Sequence, residues 1–223
     1  MSTSTEKPRS ALRRIAADPV SRRRFFAVGG GTSAAVFLAA CGDDDDETTG
    51  SDTTTSTPDD MASQFGEGDI GIVNYALTLE YLEADFYDQV AKSGLFKGGD
   101  LALIEAIGES EQMHVEALTA TVEDLGAEPA PVPKTEFPLD DAKSVLELAA
   151  TVENLGAAAY LGQAAAIEDP GILAAALSIH SVEGRHAAAL NILTGQSPTP
   201  DGAFAKPADM ETVLAEVQPF IAS

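Results

Sequence analysis

The chain of 223 residues has one cysteine, no tryptophan, three histidines, and 13 lysines and arginines against 36 acidic residues. One cysteine excludes an intramolecular disulfide and any multi-cysteine metal site. The few basic residues are also unevenly placed. Seven fall in residues 1–40, and residues 41–223 hold 6 basic against 34 acidic residues, a net charge of −28. Nucleic acid and anionic lipid surfaces are poor partners for so acidic a body, which is compatible with attracting cations. Sustained period-two alternation of β-branched residues is missing as well, so no sheet is expected and the fold class is all-α.

The first forty residues contain "SRRRFFAVGGGTSAAVFLAAC": a basic cluster, an apolar core and small residues before a cleavage point. Arg22 and Arg23, followed by Phe25 and Phe26, resemble the twin-arginine export signal. Leu38-Ala39-Ala40-Cys41 resembles a lipobox, which implies a lipid anchor on Cys41 after cleavage. The apolar run is short for a membrane span and is interrupted by Gly29-Gly30-Gly31. Residues 1–40 therefore read as a signal peptide recognised by the twin-arginine export machinery. The expected location is extracytoplasmic, in the cell envelope, as a membrane-anchored lipoprotein. Residues 41–66 are acidic, rich in threonine and serine, and poor in apolar residues. They cannot bury enough surface to offset their ordering entropy, so a disordered tether is expected. Residues 67–223 form the folded domain.

Four long helices are expected, roughly over residues 69–92, 99–125, 140–168 and 170–195. Asp100, Asp140 or Asp141, and Asp169-Pro170 supply start signals, and Gly94, Gly126 and Gly195 suit helix ends. The short connections within the first and second pairs make each pair an antiparallel hairpin. Between the pairs lies "AEPAPVPKTEFPLD", with four prolines. Fourteen extended residues reach about 45 Å, and a 25-residue helix is roughly 38 Å long. The segment can thus cross the whole bundle, and two hairpins joined by one long crossover is the ferritin-like topology.

A repeat is carried by the polar residues that interrupt the apolar stripes. Glu80 stands seven residues before Tyr87, and Glu153 seven before Tyr160. Glu111 stands three before His114, and Glu183 three before His186. Steps of three and four keep each group on the buried helix face. Within each hairpin the lone glutamate lies about as far before the turn as the Glu-x-x-His lies after it, so both sit at similar heights. Four carboxylates and two imidazoles converge on the bundle centre. Carboxylates left charged in an apolar core would cost several kcal/mol each, a cost that two divalent metals would remove. Oxygen and nitrogen donors in this set suit iron or manganese, without excluding zinc. A single Glu-x-x-His step would be an ordinary helix-surface pair; the duplicated pattern carries the reading. Glu83 shares the face of Glu80, but its counterpart is Gly156, so it is expected beside the site or on the surface. His180 has no counterpart and reads as a partly buried, hydrogen-bonded histidine.

With these residues in place, the chain resembles the ferritin-like superfamily. The stretches "NYALTLEYLEADFYDQV" and "FAKPADMETVLAEVQPFI" look most like the bacterial ferritin-like domain family related to plant desiccation proteins. The resemblance covers about residues 68–221 and implies a four-helix bundle with a short C-terminal helix. It also implies a cofactor of two iron ions, manganese being the alternative, with Glu80, Glu111, His114, Glu153, Glu183 and His186 at the ligand positions. Tyr87 and Tyr160 match positions where relatives place a tyrosine beside the metals; catalytic residues beyond these are unassigned. The Cys-x-x-Cys iron module of rubrerythrin is missing, and a tethered lipoprotein fits poorly into a closed ferritin cage. The expected function is Fe(II) oxidation or reaction with dioxygen or peroxide. The alternatives are manganese-catalase chemistry and a non-enzymatic stress or envelope protein with a structural or vestigial metal site. Expected partners are metal ions, the membrane and the export machinery, with homo-oligomerisation left open.

Overall fold

The computed structural model describes residues 65–222. The expected signal peptide, with Arg22, Arg23 and Cys41, lies outside them, as does the expected tether except Phe65 and Gly66. Phe65 is already part of the packed unit: it is buried edge-on against Tyr75, and its carbonyl accepts the Asn74 side-chain N–H.

Four long helices follow: α1 (Gly68–Lys92), α2 (Gly98–Asp124), α3 (Ala142–Gln163) and α4 (Pro170–Leu193). A short α5 (Met210–Val217) and one 3-10 turn close the domain. Among the described residues β structure is confined to one isolated bridge, Thr135 with Ile221. The starts of α3 and α4 are local. The Asp141 carboxylate accepts the backbone N–H groups of Lys143 and Ser144, and Asp169 accepts those of Gly171 and Ile172 with Pro170 in the first turn. Asp100 does not cap α2: the cap position is Lys97, and Asp100 lies in the first turn, where its charge favours the helix dipole. Gly94, Gly126 and Gly195 follow the C-termini at φ of 77°, 78° and 77°.

Helix α3 ends at Gln163, short of the expected residue 168. Its alanine-rich end would continue on propensity alone, but tertiary contacts override this. Ile167 turns into the interior, and the Asp69 carboxylate at the start of α1 accepts the N–H groups of Glu168 and Asp169.

Helix α1 packs along α2, α3 along α4, and α1 also meets α3. The segment between the hairpins climbs alongside α1. Asn74 bonds Glu128 and Ala130 at one end, and Thr135 bonds Asp85 and Gln89 further along. It delivers the chain to the end of the bundle where α1 finished, so α3 runs antiparallel to α1. Helix α1 is thereby enclosed by α2, α3 and the crossover, which accounts for its burial on nearly every side.

The apolar core falls into two clusters. One joins Val73, Leu77, Leu118, Val122, Tyr160 and Ile179. The larger joins Phe86, Ile104, Phe137, Val145, Leu190 and α5 residues. On each long helix the glutamate of the repeat lies between residues of the two clusters, so a polar layer divides the core at mid-height.

Candidate metal centre

Glu80, Glu111, Glu153 and Glu183 are each fully buried, at 0% exposure, and His114 and His186 are partly buried, with side chains 12% and 13% exposed. No lysine or arginine of the described residues pairs with these glutamates; their ion-pair partners are the two histidines. The His114 Nδ1 lies 2.8 Å from Glu111, 3.2 Å from Glu80 and 3.3 Å from Glu183. The His186 Nδ1 lies 2.9 Å from Glu111 and 3.3 Å from Glu153.

Two ligand groups result. Glu80, Glu111, His114 and Glu183 each offer one atom within 4.8 Å of the others, and Glu111, Glu153, Glu183 and His186 do the same. Glu111 and Glu183 belong to both groups, so they stand where bridges would, and Glu80 and Glu153 stand where terminal ligands would. The structure thus brings all six sequence-derived residues together. Tyr160 donates to Glu80 at 2.5 Å and Tyr87 donates to Glu153 at 2.6 Å. Each tyrosine serves the glutamate of the opposite hairpin, because α1 and α3 run antiparallel. His180 stands apart, with its Nδ1 2.9 Å from the Ala157 carbonyl, as a partly buried, hydrogen-bonded residue.

The electrostatics are those of a site with too many acids. Desolvation, against the pull of His114, raises Glu80 to about 7. Desolvation raises Glu153, and desolvation together with repulsion from neighbouring glutamates raises Glu183. Glu111 suffers the same desolvation but is drawn down to about 2 by His114 and His186. The histidines also lose solvation, yet their carboxylate neighbours raise His114 to about 12 and His186 to about 9. Burial and the adjoining carboxylates push both tyrosines up, so they stay protonated donors.

Hydrogen bonds do not satisfy this cluster. Among the described residues, the buried side-chain atoms without a hydrogen-bond partner are Tyr75 Oη, Glu83 Oε2, Glu111 Oε1, Glu153 Oε2, both Glu183 oxygens and His186 Nδ1. All but Tyr75 Oη belong to this layer. His186 Nδ1 and Glu111 Oε1 are 2.9 Å apart yet make no aligned hydrogen bond. Orphaned carboxylate oxygens and an imidazole nitrogen gathered at one point fit a shared cation better than they fit one another. The donor set therefore suits a bound metal ion.

Glu83, expected beside the site or on the surface, lies beside the site. It is 3% exposed, and it faces Gly156 in the same layer. Its signal was the three-residue step from Glu80; the glycine opposite hid its importance, because it broke the repeat.

No curated protein matches the chain. A family model described as ferritin-like domain matches residues 68–196, which takes in all four long helices and more than half of the chain. With the hairpin-crossover-hairpin topology and the buried glutamate and histidine layer, this match establishes that the chain belongs to the ferritin-like domain family.

Proposed function

We propose that the chain is an exported protein holding two iron ions, or two manganese ions, between Glu80, Glu111, His114, Glu153, Glu183 and His186. Its reaction would be the oxidation of Fe(II) or a reaction with dioxygen or peroxide. The observation that carries the reading is the pair of ligand groups sharing Glu111 and Glu183. Four carboxylates offset the charge of two divalent ions, which removes the cost of burying them unpaired. Tyr160 and Tyr87 each occupy one oxygen of a terminal glutamate and leave the other turned toward a histidine. The tyrosines would thus leave that second oxygen as the one free to coordinate. When bound, the two ions would supply one-electron chemistry toward the oxidant.

The Glu111→Ala/Glu183→Ala double variant should lose both metals by elemental analysis, and unchanged stoichiometry would sink the reading. Aerobic loading with Fe(II) tests the reaction: oxygen uptake with ferric absorbance supports it, while bound metal without uptake favours a structural role.

Export and anchoring through Arg22, Arg23 and Cys41 are proposed on the same footing. A chain loaded with metal before transport would suit the twin-arginine route, which generally carries folded proteins. An Arg22→Lys/Arg23→Lys variant should stay in the cytoplasm, and normal export would count against the assignment.

A further inference from the structure

The two hairpins repeat each other at the metal centre except at one pair of positions. Three residues beyond the terminal glutamate, α1 has Glu83 and α3 has Gly156. These two positions meet. A Cβ built on Gly156 would lie 2.7 Å from Glu83 Oε1 and 3.0 Å from Glu183 Oε2. Contacts under 3.0 Å are forbidden to a real Cβ, so any side chain at 156 would have to displace the Glu83 carboxylate. The glycine leaves room for that carboxylate between α1 and α3, on the same side as Glu183.

Glu83 is otherwise without reason to be there. It is 3% exposed, its Oε2 has no hydrogen-bond partner, and no ion pair of the described residues includes it. Burial first, and then the neighbouring Glu183, Glu80 and Glu153, push its carboxyl well above the usual range. A buried acid among other acids, with space cleared for it by a glycine and one oxygen unpaired, is a costly arrangement unless a cation lies within its reach.

We propose that Glu83 is a fifth carboxylate ligand of the metal centre, entering from α1 over Gly156, and that it makes the two metal positions inequivalent. The proposal rests on the metal-centre reading above. It has an electrostatic consequence. Four carboxylates balance two divalent ions, so a fifth leaves one negative charge that is matched when one ion is trivalent. Glu83 therefore favours the oxidised centre and lowers its potential. The missing partner at Gly156 confines this effect to one side.

The test uses the purified chain loaded anaerobically with ⁵⁷Fe(II), as wild type, Glu83→Gln and Glu83→Leu. The amide keeps the shape without the charge. The leucine keeps the bulk and cannot coordinate, so it covers the case of an amide oxygen still binding. Metal is counted by elemental analysis and the iron environments by Mössbauer spectroscopy. The expected result is two irons per chain in all three proteins. Two resolved quadrupole doublets in the wild type should move toward a single doublet in both variants, and the midpoint potential should shift upward. Unchanged doublets and potential with full iron loading overturn the role of Glu83 alone. Failure of the wild type to bind iron overturns the metal centre, and the role of Glu83 with it.

Discussion

At the scale of single residues, the two tyrosines show how the site is held before any ion arrives. Each hydroxyl bonds one oxygen of a glutamate on the facing hairpin, at 2.5 and 2.6 Å. Such charge-assisted bonds are stronger than neutral ones, and losing one leaves a buried oxygen unpaired at a cost of about 1–3 kcal/mol. In Tyr160→Phe the carboxylate of Glu80 is free to rotate, and in Tyr87→Phe that of Glu153. Each variant should therefore weaken metal binding about tenfold at the position its own glutamate serves, with the other position little changed. A competition titration against a chromophoric chelator resolves the two steps. Equal weakening of both steps would mean that the tyrosines act on the fold as a whole.

At the scale of elements, much of the architecture was legible because its signals are local or periodic. Asp141 and Asp169 cap where a carboxylate before a helix should, and the three-and-four steps put the glutamates on buried faces. Length alone allowed the proline-rich segment to cross the bundle. The end of α3 was illegible because contacts with α1 and the turn of Ile167 into the interior stop it, and these are distant in sequence. The sequence left Glu83 between the site and the surface for a related reason: the glycine opposite carries no pattern, and its meaning appears only once α1 lies across it.

Gly162 illustrates the same point and can be tested. A Cβ there would sit 1.9 Å from the carbonyl oxygen of Ala208, whose N–H bonds the Ala158 carbonyl at 3.0 Å. The glycine thus lets the segment leading into α5 lie directly on α3. Gly162→Ala gains about 1 kcal/mol in helix propensity, but the clash is with backbone and cannot be relieved by a rotamer. A net loss of about 2 kcal/mol is expected, with new proteolytic cleavage between α4 and α5. Gly184 in α4 is the control, since nothing lies within 4 Å of its Cβ position. Gly184→Ala should raise stability by up to about 1 kcal/mol. Thermal unfolding of both variants decides the matter, and a stabilised Gly162→Ala would refute the close approach.

At the scale of the whole molecule, the layer of buried acids divides a core that would otherwise be continuous, and its effect depends on pH and on metal in opposite senses. In the metal-free chain, Glu80 is raised from 4.5 to about 7, so its folded form holds a proton that the unfolded form has released, and stability falls as pH rises through that interval. His114 and His186 are raised from 6.5 to about 12 and about 9, so the stability they contribute is complete below pH 6.5 and drains away as pH climbs toward those values. Glu111, lowered to about 2, acts the other way, but only below pH 4.5. Exposed carboxylates are already ionised above about pH 5.5, so between pH 6 and 9 the slope belongs to the buried layer. The melting temperature of chelator-treated protein should therefore decrease across this window. Metal ions compete with protons for the same carboxylates and imidazoles, so the stabilisation they add should grow with pH. Calorimetry at pH 6, 7.5 and 9, with chelator and with excess Mn(II), should show two curves that diverge as pH rises. Parallel curves would mean that the added ion binds somewhere other than the buried layer, and a metal-free melting temperature that rises with pH would mean that the glutamates are not desolvated as a group.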